Sequence, residues 1–323
     1  MKSKFLQKLR SFAILLSLSL LGNMSMAQTV TIGTGTPTTS YFPIYSCYVY
    51  NYAQQVYWAT ELNAAGASGP SFINKIRFYV SGTAQPTSTW QAWQVFLGNT
   101  TVDGIATTSS WQTGLTPVFN GNIPTISANT WMELTLPTPF FWDGISNLVV
   151  ATYENSPNYY CTQTWGGYSA PAPSTPGSMR GRLFYSDPTD PGTTNPPAAN
   201  YSSNTIAQIQ FDMTPATPCT GSPTAGTVTP AGPLATCAGA QTMLTASGFT
   251  LAQNITFQWE ESTNGGSTWL PIFGATTKSY AAQPTVTTMY RMMVTCTNSS
   301  QSAVTNAVTI TVTPPNYLPI PYV

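Results

Sequence analysis

The chain contains no histidine, and charged side chains make up 6% of its 323 residues, where a soluble domain ordinarily has about a quarter. Without histidine there is no Ser-His-Asp or Cys-His relay and no imidazole-ligated metal centre. The ten Lys+Arg balance ten Asp+Glu, but Lys2, Lys4, Lys8 and Arg10 all stand in the first ten residues. From Gln28 onward six cations face ten anions, a net charge of −4. Six scattered cations do not neutralise a phosphate backbone, so nucleic acid is not an expected partner. Long apolar runs are also missing. After Leu21 no stretch is apolar enough for a membrane-crossing helix, so no transmembrane segment is expected.

What is present begins with an export signal. Residues 1–27 read as a signal peptide: a positive end, the apolar run Ser11–Leu21, and small side chains at Ser25 and Ala27 before Gln28. The competing reading is an N-terminal membrane anchor, for which the run is short. No cysteine follows the run to take a lipid. The expectation is a secreted or cell-surface protein, soluble once the leader is removed.

The remainder is rich in Thr, Ser, Asn, Gly, Pro and aromatics, and poor in the residues that long helices need. Thr, Val, Tyr, Phe and Trp suit pleated, half-buried surfaces. Apolar residues alternate with period two. Ile76, Phe78 and Val80 share a face, as do Met132, Leu134 and Leu136, then Leu148 and Val150, then Ile209 and Phe211 along 206–211. Ser81-Gly82, Asp103-Gly104, Asn120-Gly121 and Asp143-Gly144 are read as turns between such runs. Residues 54–62 can be read as half a helix, but the alternation of Val56 and Trp58 favours a strand. The Pro-rich stretch 156–205 is expected to lack regular structure.

A Pro/Thr/Ser-rich break at 213–225 divides the chain. The fold class expected is all-β: a jelly-roll-like antiparallel sandwich over 28–214, a linker at 215–218 and an immunoglobulin-like sandwich over 219–313. Residues 314–323 are a Pro-rich tail, or a linker to a domain beyond a truncated end. In the second half Ile255, Phe257 and Trp259 alternate on one strand. Tyr290, Met292, Val294 and Cys296 alternate on another, as in immunoglobulin-like sandwiches.

Specific stretches strengthen this. Cys219-Thr-Gly-Ser-Pro-Thr-Ala-Gly226, Phe257-Gln-Trp-Glu260, Gly266-Ser-Thr-Trp269, Gly274 to Tyr280 and Tyr290 to Asn298 resemble the immunoglobulin-like repeats of secreted surface proteins of gliding bacteria. Trp131 to Leu136, Pro139 to Gly144 and Asn147 to Val150 more weakly resemble the N-terminal β domains of such proteins. The resemblance implies a modular protein exported by type IX secretion, whose modules serve as adhesins or as spacers around an enzymatic domain.

The five cysteines are Cys47, Cys161, Cys219, Cys237 and Cys296. In an exported chain they favour disulfides, with one left over. In a seven-strand sandwich Cys219, ahead of the first strand, lies near Cys296 at the end of the sixth. Cys237 would open the second strand opposite Met292, where the resembled repeats usually carry cysteine, so Cys237 is expected to be free. The competing pair is Cys237–Cys296. In the first half Cys47–Cys161 stands as an open option. With no CxxC and no histidine, metal and other cofactors are not expected.

Carboxylates are the remaining candidates for catalysis. Glu260 and Glu261 are neighbours on a strand and point to opposite faces, so they are not a glycosidase pair. Glu61, Glu133 and Glu154 read as isolated solvated groups. Asp187 and Asp190 suit turns better than a Ca²⁺ loop. No catalytic residue is assigned and no enzymatic activity is expected. Tyr159, Tyr160, Trp165 and Tyr168, with Gly166 and Gly167, form either an aromatic platform for ligand or a cap folded back onto the sandwich. Trp58, Trp131 and Trp259 read as packing residues, while Trp90, Trp93 and Trp111 are ambiguous. The function expected is a non-enzymatic surface module for adhesion or display, meeting an extracellular glycan or protein surface. The alternatives are a carbohydrate-binding module using the 159–168 aromatics and the non-catalytic front of a larger exported hydrolase.

Overall fold

The computed structural model describes residues 27–34, 36–82, 92–123, 126–157, 159 and 161–313. Residues 1–26 of the expected leader, Trp90, Tyr160 and the tail 314–323 lie outside them. Among the described residues the fold is all-β with one short helix, and the chain divides into two compact units, Met1–Pro215 and Ala216–Val323.

Unit 1 is a sandwich of two sheets. The first has the order β1 (Gln28–Ile32), β13 (Ile209–Pro215), β4 (Ser71–Val80), β9 (Trp165–Ser169), β12 (Thr205–Ala207). β2 (Thr38–Thr39) joins it through β9, and β7 (Thr130–Trp142) through β4. The second has the order β11 (Tyr201–Ser203), β10 (Gly181–Ser186), β3 (Tyr50–Tyr57), β8 (Asn147–Asn155), β5 (Trp93–Thr100), β6 (Thr116–Gly121). Every pairing in both sheets is antiparallel. The pairings β1-β13-β4-β7 and β3-β8-β5-β6, traced in chain order, give the eight-strand connectivity of a jelly roll.

The period-two pattern sets which face of each strand goes inward. Met132, Leu134 and Leu136 of β7, Ile76, Phe78 and Val80 of β4 and Ile209 and Phe211 of β13 are buried in one core with Trp93, Trp142 and Trp165. A one-residue slip of β7 would turn that apolar set outward and bury Glu133. On the outer face Glu133 instead meets Lys75 at 2.6 Å and Arg77 at 2.7 Å, and Arg77 also holds Asp212 at 2.6 Å. The hydrogen bond from Lys75, with Arg77 beside it, holds the Glu133 carboxyl below its ordinary range.

Four sequence expectations change here. The 156–205 stretch is ordered: β9 to β12 form an insertion between β8 and β13 that widens both sheets. Its strands are short, and two of them, β9 and β10, carry glycine, so no apolar period marks them. Glycine is required at 167, because a Cβ there would collide with the Pro37 carbonyl oxygen. Residues 54–62 are strand up to Tyr57 and then helix, α1 (Ala59–Ala64). Glu61 starts that helix by accepting the Trp58 N–H at 2.8 Å, and Asn147 caps Ala59 at 2.8 Å. Asn120-Gly121 ends β6 rather than making a turn, whereas Asp143-Gly144 does turn, with the Asp143 carboxylate accepting the N–H groups of Ile145 and Ser146. Also, 206–211 is interrupted at Gln208, between β12 and β13.

Unit 2 is an immunoglobulin-like sandwich. One sheet is β14 (Thr227–Pro230), β16 (Thr242–Ser247), β19 (Ser279–Ala282). The other is β15 (Ala235–Thr236), β22 (Val308–Val312), β20 (Thr288–Cys296), β17 (Ile255–Ser262), β18 (Leu270–Pro271), with β21 (Gln301–Val304) also on β20. Trp259, Tyr290, Met292, Val294 and Ile310 fill the core with Leu244 and Ala282 from the facing sheet. The Trp259 indole N–H finds the Thr277 carbonyl at 2.8 Å, so the ring is buried without an unpaired donor.

Each unit contains a disulfide. Cys47 is joined to Cys161, and Cys219 to Cys296 with their Cα atoms 5.8 Å apart. Cys237 is free and exposed. It does not open a strand opposite Met292: it follows β15, and Met292 faces Trp259 across β17 and β20. Among the described residues no helix is long and apolar enough to cross a membrane. Disulfides in both units are compatible with an extracellular protein.

Candidate functional site

The aromatics of the 159–168 stretch do not make a common platform. Trp165 is fully buried on β9, with its ring 6.2 Å from that of Trp93. The reason is its register: Trp165 pairs with Val80 on β4, so the pleat turns it into the core. Tyr168 is half-buried and donates its hydroxyl to Glu61 at 2.9 Å. Burial and that carboxylate push its phenol up to about 12. Tyr159 is exposed, and Tyr160 is outside the described residues.

Tyr168 belongs to a closed polar cluster. Arg180, fully buried, gives two guanidinium N–H groups to Glu61 at 2.9 and 2.6 Å, another to the Val56 carbonyl at 2.8 Å, and stacks 4.1 Å above the Trp58 ring. Glu61 is thus a clasp for the insertion and not an isolated solvated group. A planar five-donor fork explains why this position holds arginine.

Glu154 is more deeply buried, 1% exposed on β8. Its oxygens accept the Ser156 N–H at 2.8 Å and the Asn51 side-chain amide at 3.1 Å. Asn51 in turn accepts the Tyr45 N–H and donates to the Tyr48 carbonyl, so the carboxyl braces the loop that carries Cys47. Burial pushes its pKa from 4.5 up to about 7, against the lowering effect of the Ser156 and Asn51 bonds. Below pH 4.5 the carboxyl is protonated in folded and unfolded chains alike, and its burial carries no proton-linked penalty. Between 4.5 and 7 the fold retains a proton that the unfolded chain has released, so stability falls as pH rises, by roughly 3 kcal/mol in all. A Glu154→Gln variant is expected to lose that slope. Urea midpoints of the two proteins from pH 4 to 8 test this, and parallel curves would refute it.

A cleft of about 330 Å³ opens on the outer face of the second sheet. It is lined by Tyr52 of β3, Phe96 of β5, Trp111 to Leu115 of the β5–β6 connection, and Thr193, Thr194 and Pro196 of the insertion. Tyr52 points outward because Ala53 faces the core and β3 alternates. Gln54 lies on the same face as Tyr52 and pins the first wall. Its amide exchanges hydrogen bonds with the Gln112 backbone at 2.8 and 2.9 Å and donates to the Tyr52 hydroxyl at 2.8 Å. Trp111 ties the walls together, donating its indole N–H to the Pro197 carbonyl at 2.9 Å and meeting Tyr52 edge to face. The lining contains no acid and no base. Burial raises the Tyr52 pKa, with Gln54 opposing, so the phenol keeps its proton. Trp111 is ambiguous from its local sequence, because the opposite wall comes from residues some eighty positions away.

A second cleft, of about 450 Å³, is lined by Thr101 to Gly104, Ala106, Ser174, Thr175 and Ser178. Its carboxylate, Asp103, is occupied by the Ser174 N–H and hydroxyl, and the Ser174 hydroxyl bond, foremost, holds its pKa down. Asp190 accepts the Tyr153 hydroxyl at 2.9 Å and the Gly192 N–H at 2.8 Å, and Asp187 accepts the Val49 N–H at 3.2 Å. Among the described residues no group of three or more Cys, Asp or Glu side chains is placed to hold a metal ion.

Comparison with known proteins adds a family match in unit 2. Residues 224–314 match a family described as a domain of unknown function (DUF8696). No curated protein matches the chain in sequence. Among solved structures the chain is similar to the beta-1,2-glucanase from Parabacteroides distasonis, at 10% identity and a TM-score of 0.24, over 76% of this chain and 28% of that one. The chain therefore spans less than a third of that enzyme's length.

Proposed function

We propose that this protein is a non-enzymatic, secreted surface module for adhesion or display, and that its jelly-roll unit contacts the partner through the Tyr52–Trp111 cleft. The observation that carries the reading is the cleft lining: three aromatic side chains and neutral polar groups, with no acid or base to move a proton. The acids of unit 1 described above, Glu61, Glu133, Glu154 and Asp212, are each engaged by neighbours. The export signal, the disulfides and the resemblance to secreted surface proteins of gliding bacteria support the location, with type IX secretion as the route. The immunoglobulin-like unit serves as a spacer.

The test is retention of the purified chain on intact cells and extracellular polymer, alongside assays for hydrolysis of the same polymers. Retention that weakens several-fold when the cleft is filled by Thr193→Trp, without turnover, is the expected result. Turnover abolished by neutralising a single carboxylate would overturn the proposal.

A further inference from the structure

We infer that the cleft between Trp111 and Thr193 is a subsite for a short neutral segment of a glycan. The inference rests on the binding-module reading and names its ligand class. The site is distinct from the 159–168 aromatics, of which Trp165 is in the core and Tyr168 is committed to Glu61.

The Tyr52 hydroxyl has an unused proton. Tyr52 is 3% exposed, and its oxygen accepts Gln54 Nε2 at 2.8 Å, yet its own O–H has no acceptor among the described residues. A nearly buried donor is unfavourable to leave unpaired, and Tyr52 lines open space large enough for a ligand. The side chains of Thr113, Thr193 and Thr194 on the walls also make no hydrogen bond among the described residues. An apolar occupant would leave the nearly buried Tyr52 O–H unpaired. An acidic occupant would find no cation in the lining, and a basic one no carboxylate. Arg182, on the same face, is spent on the carbonyls of Ile105, Ala106 and Gly177. Asp190 is spent on Tyr153 and Gly192.

The walls and floor then define the occupant. Phe96 and Trp111, both half-buried, offer ring surface to C–H faces, while the threonines and the Tyr52 O–H surround them with hydroxyls. A sugar ring has that division, apolar on its face and hydroxylated on its rim. A cavity of about 330 Å³ is at the small end for ligand sites. It admits a chain segment or chain end and excludes a folded domain. Because Gln54 and Trp111 fix both walls, the site is formed before binding.

The experiment titrates the full chain with a panel of neutral hexose and N-acetylhexosamine oligosaccharides and their uronate-containing counterparts, by calorimetry. Neutral oligosaccharides are expected to bind. Tyr52→Phe, which removes the unused proton and leaves the ring, is expected to weaken binding about five- to tenfold, and Thr193→Val to weaken it less. Uronates are expected to bind at least tenfold more weakly. Circular dichroism of both variants should match the parent; Tyr52→Phe also removes one acceptor of Gln54 Nε2, which keeps the Gln112 carbonyl, so its melting midpoint should fall by only a few degrees while that of Thr193→Val is unchanged. No binding to any neutral glycan, or equal binding by Tyr52→Phe, would overturn the inference. Adhesion to protein-coated surfaces in that case would leave the module reading standing, whereas hydrolysis of the titrant would remove both.

Discussion

Replacing Arg180 with alanine is expected to destabilise unit 1 by about 3–5 kcal/mol. The guanidinium is fully buried and its carboxylate partner Glu61 is nearly so. Removing the cation leaves Glu61, 11% exposed, with the Trp58 N–H and the Tyr168 hydroxyl but no counter-charge. The Val56 and Pro171 carbonyls lose their donor as well. In a unit of this size the midpoint of thermal unfolding should fall by about 10 °C. The loss comes mostly from stranding a buried charge, and a second variant separates that cause from the worth of the pair. Arg180→Met combined with Glu61→Leu removes both charges and should recover much of the deficit. A single-site loss below about 1 kcal/mol, or a double variant as unstable as the two single effects added, would refute the account. Because the clasp joins α1 to the insertion, proteolysis of Arg180→Ala under native conditions should begin between Cys161 and Ile206.

Opening the Cys219–Cys296 disulfide by replacing both residues with serine is expected to cost unit 2 about 4 kcal/mol on the chain-entropy account of a 77-residue separation. Unit 2 has a small core, eleven buried apolar side chains, so this is a large share of a domain's usual stability. Its melting midpoint should drop by more than 15 °C. Cys237→Ser should leave the midpoint unchanged, because that thiol is exposed and unpaired. Peptide mapping without reductant should recover the 219–296 and 47–161 cross-links. A 237–296 cross-link would contradict the fold, since β15 and the end of β20 are not adjacent in the sheet order.

Local periodicity and tertiary arrangement contribute differently to what can be read from the chain. The alternation of Met132, Leu134 and Leu136 is sufficient to predict a strand and its inward face, because a pleated strand has one core side and the pattern is local. The helix at Ala59–Ala64 has a local sign too, Glu61 at the third helical position, but it is outweighed by β-forming neighbours until Asn147 and Arg180 arrive from elsewhere in the fold. The insertion strands have weak local signs, because Gly166, Gly167 and Gly181 occupy positions where the backbone is approached closely and contribute no apolar side chain. Trp165 shows the difficulty at a single residue. Its neighbours Tyr159, Gly166 and Gly167 have the composition of an exposed loop, yet one register pair with Val80 places its ring in the core.

By itself the amino-acid sequence determined an all-β chain, the inward faces of its long strands, the export signal as an expectation, and the absence of imidazole chemistry. These depend on composition and on period, which act over a few neighbouring residues. The tertiary structure decided which acids are buried, which aromatics are solvent-facing, and where a cleft opens. Tyr52, Trp111 and Thr193 meet because the pairing of β3, β8 and β5 fixes a floor and two distant connections fold over it. Charge state and accessibility follow from that desolvated packing, a property of the assembled sheets that no local stretch of sequence contains.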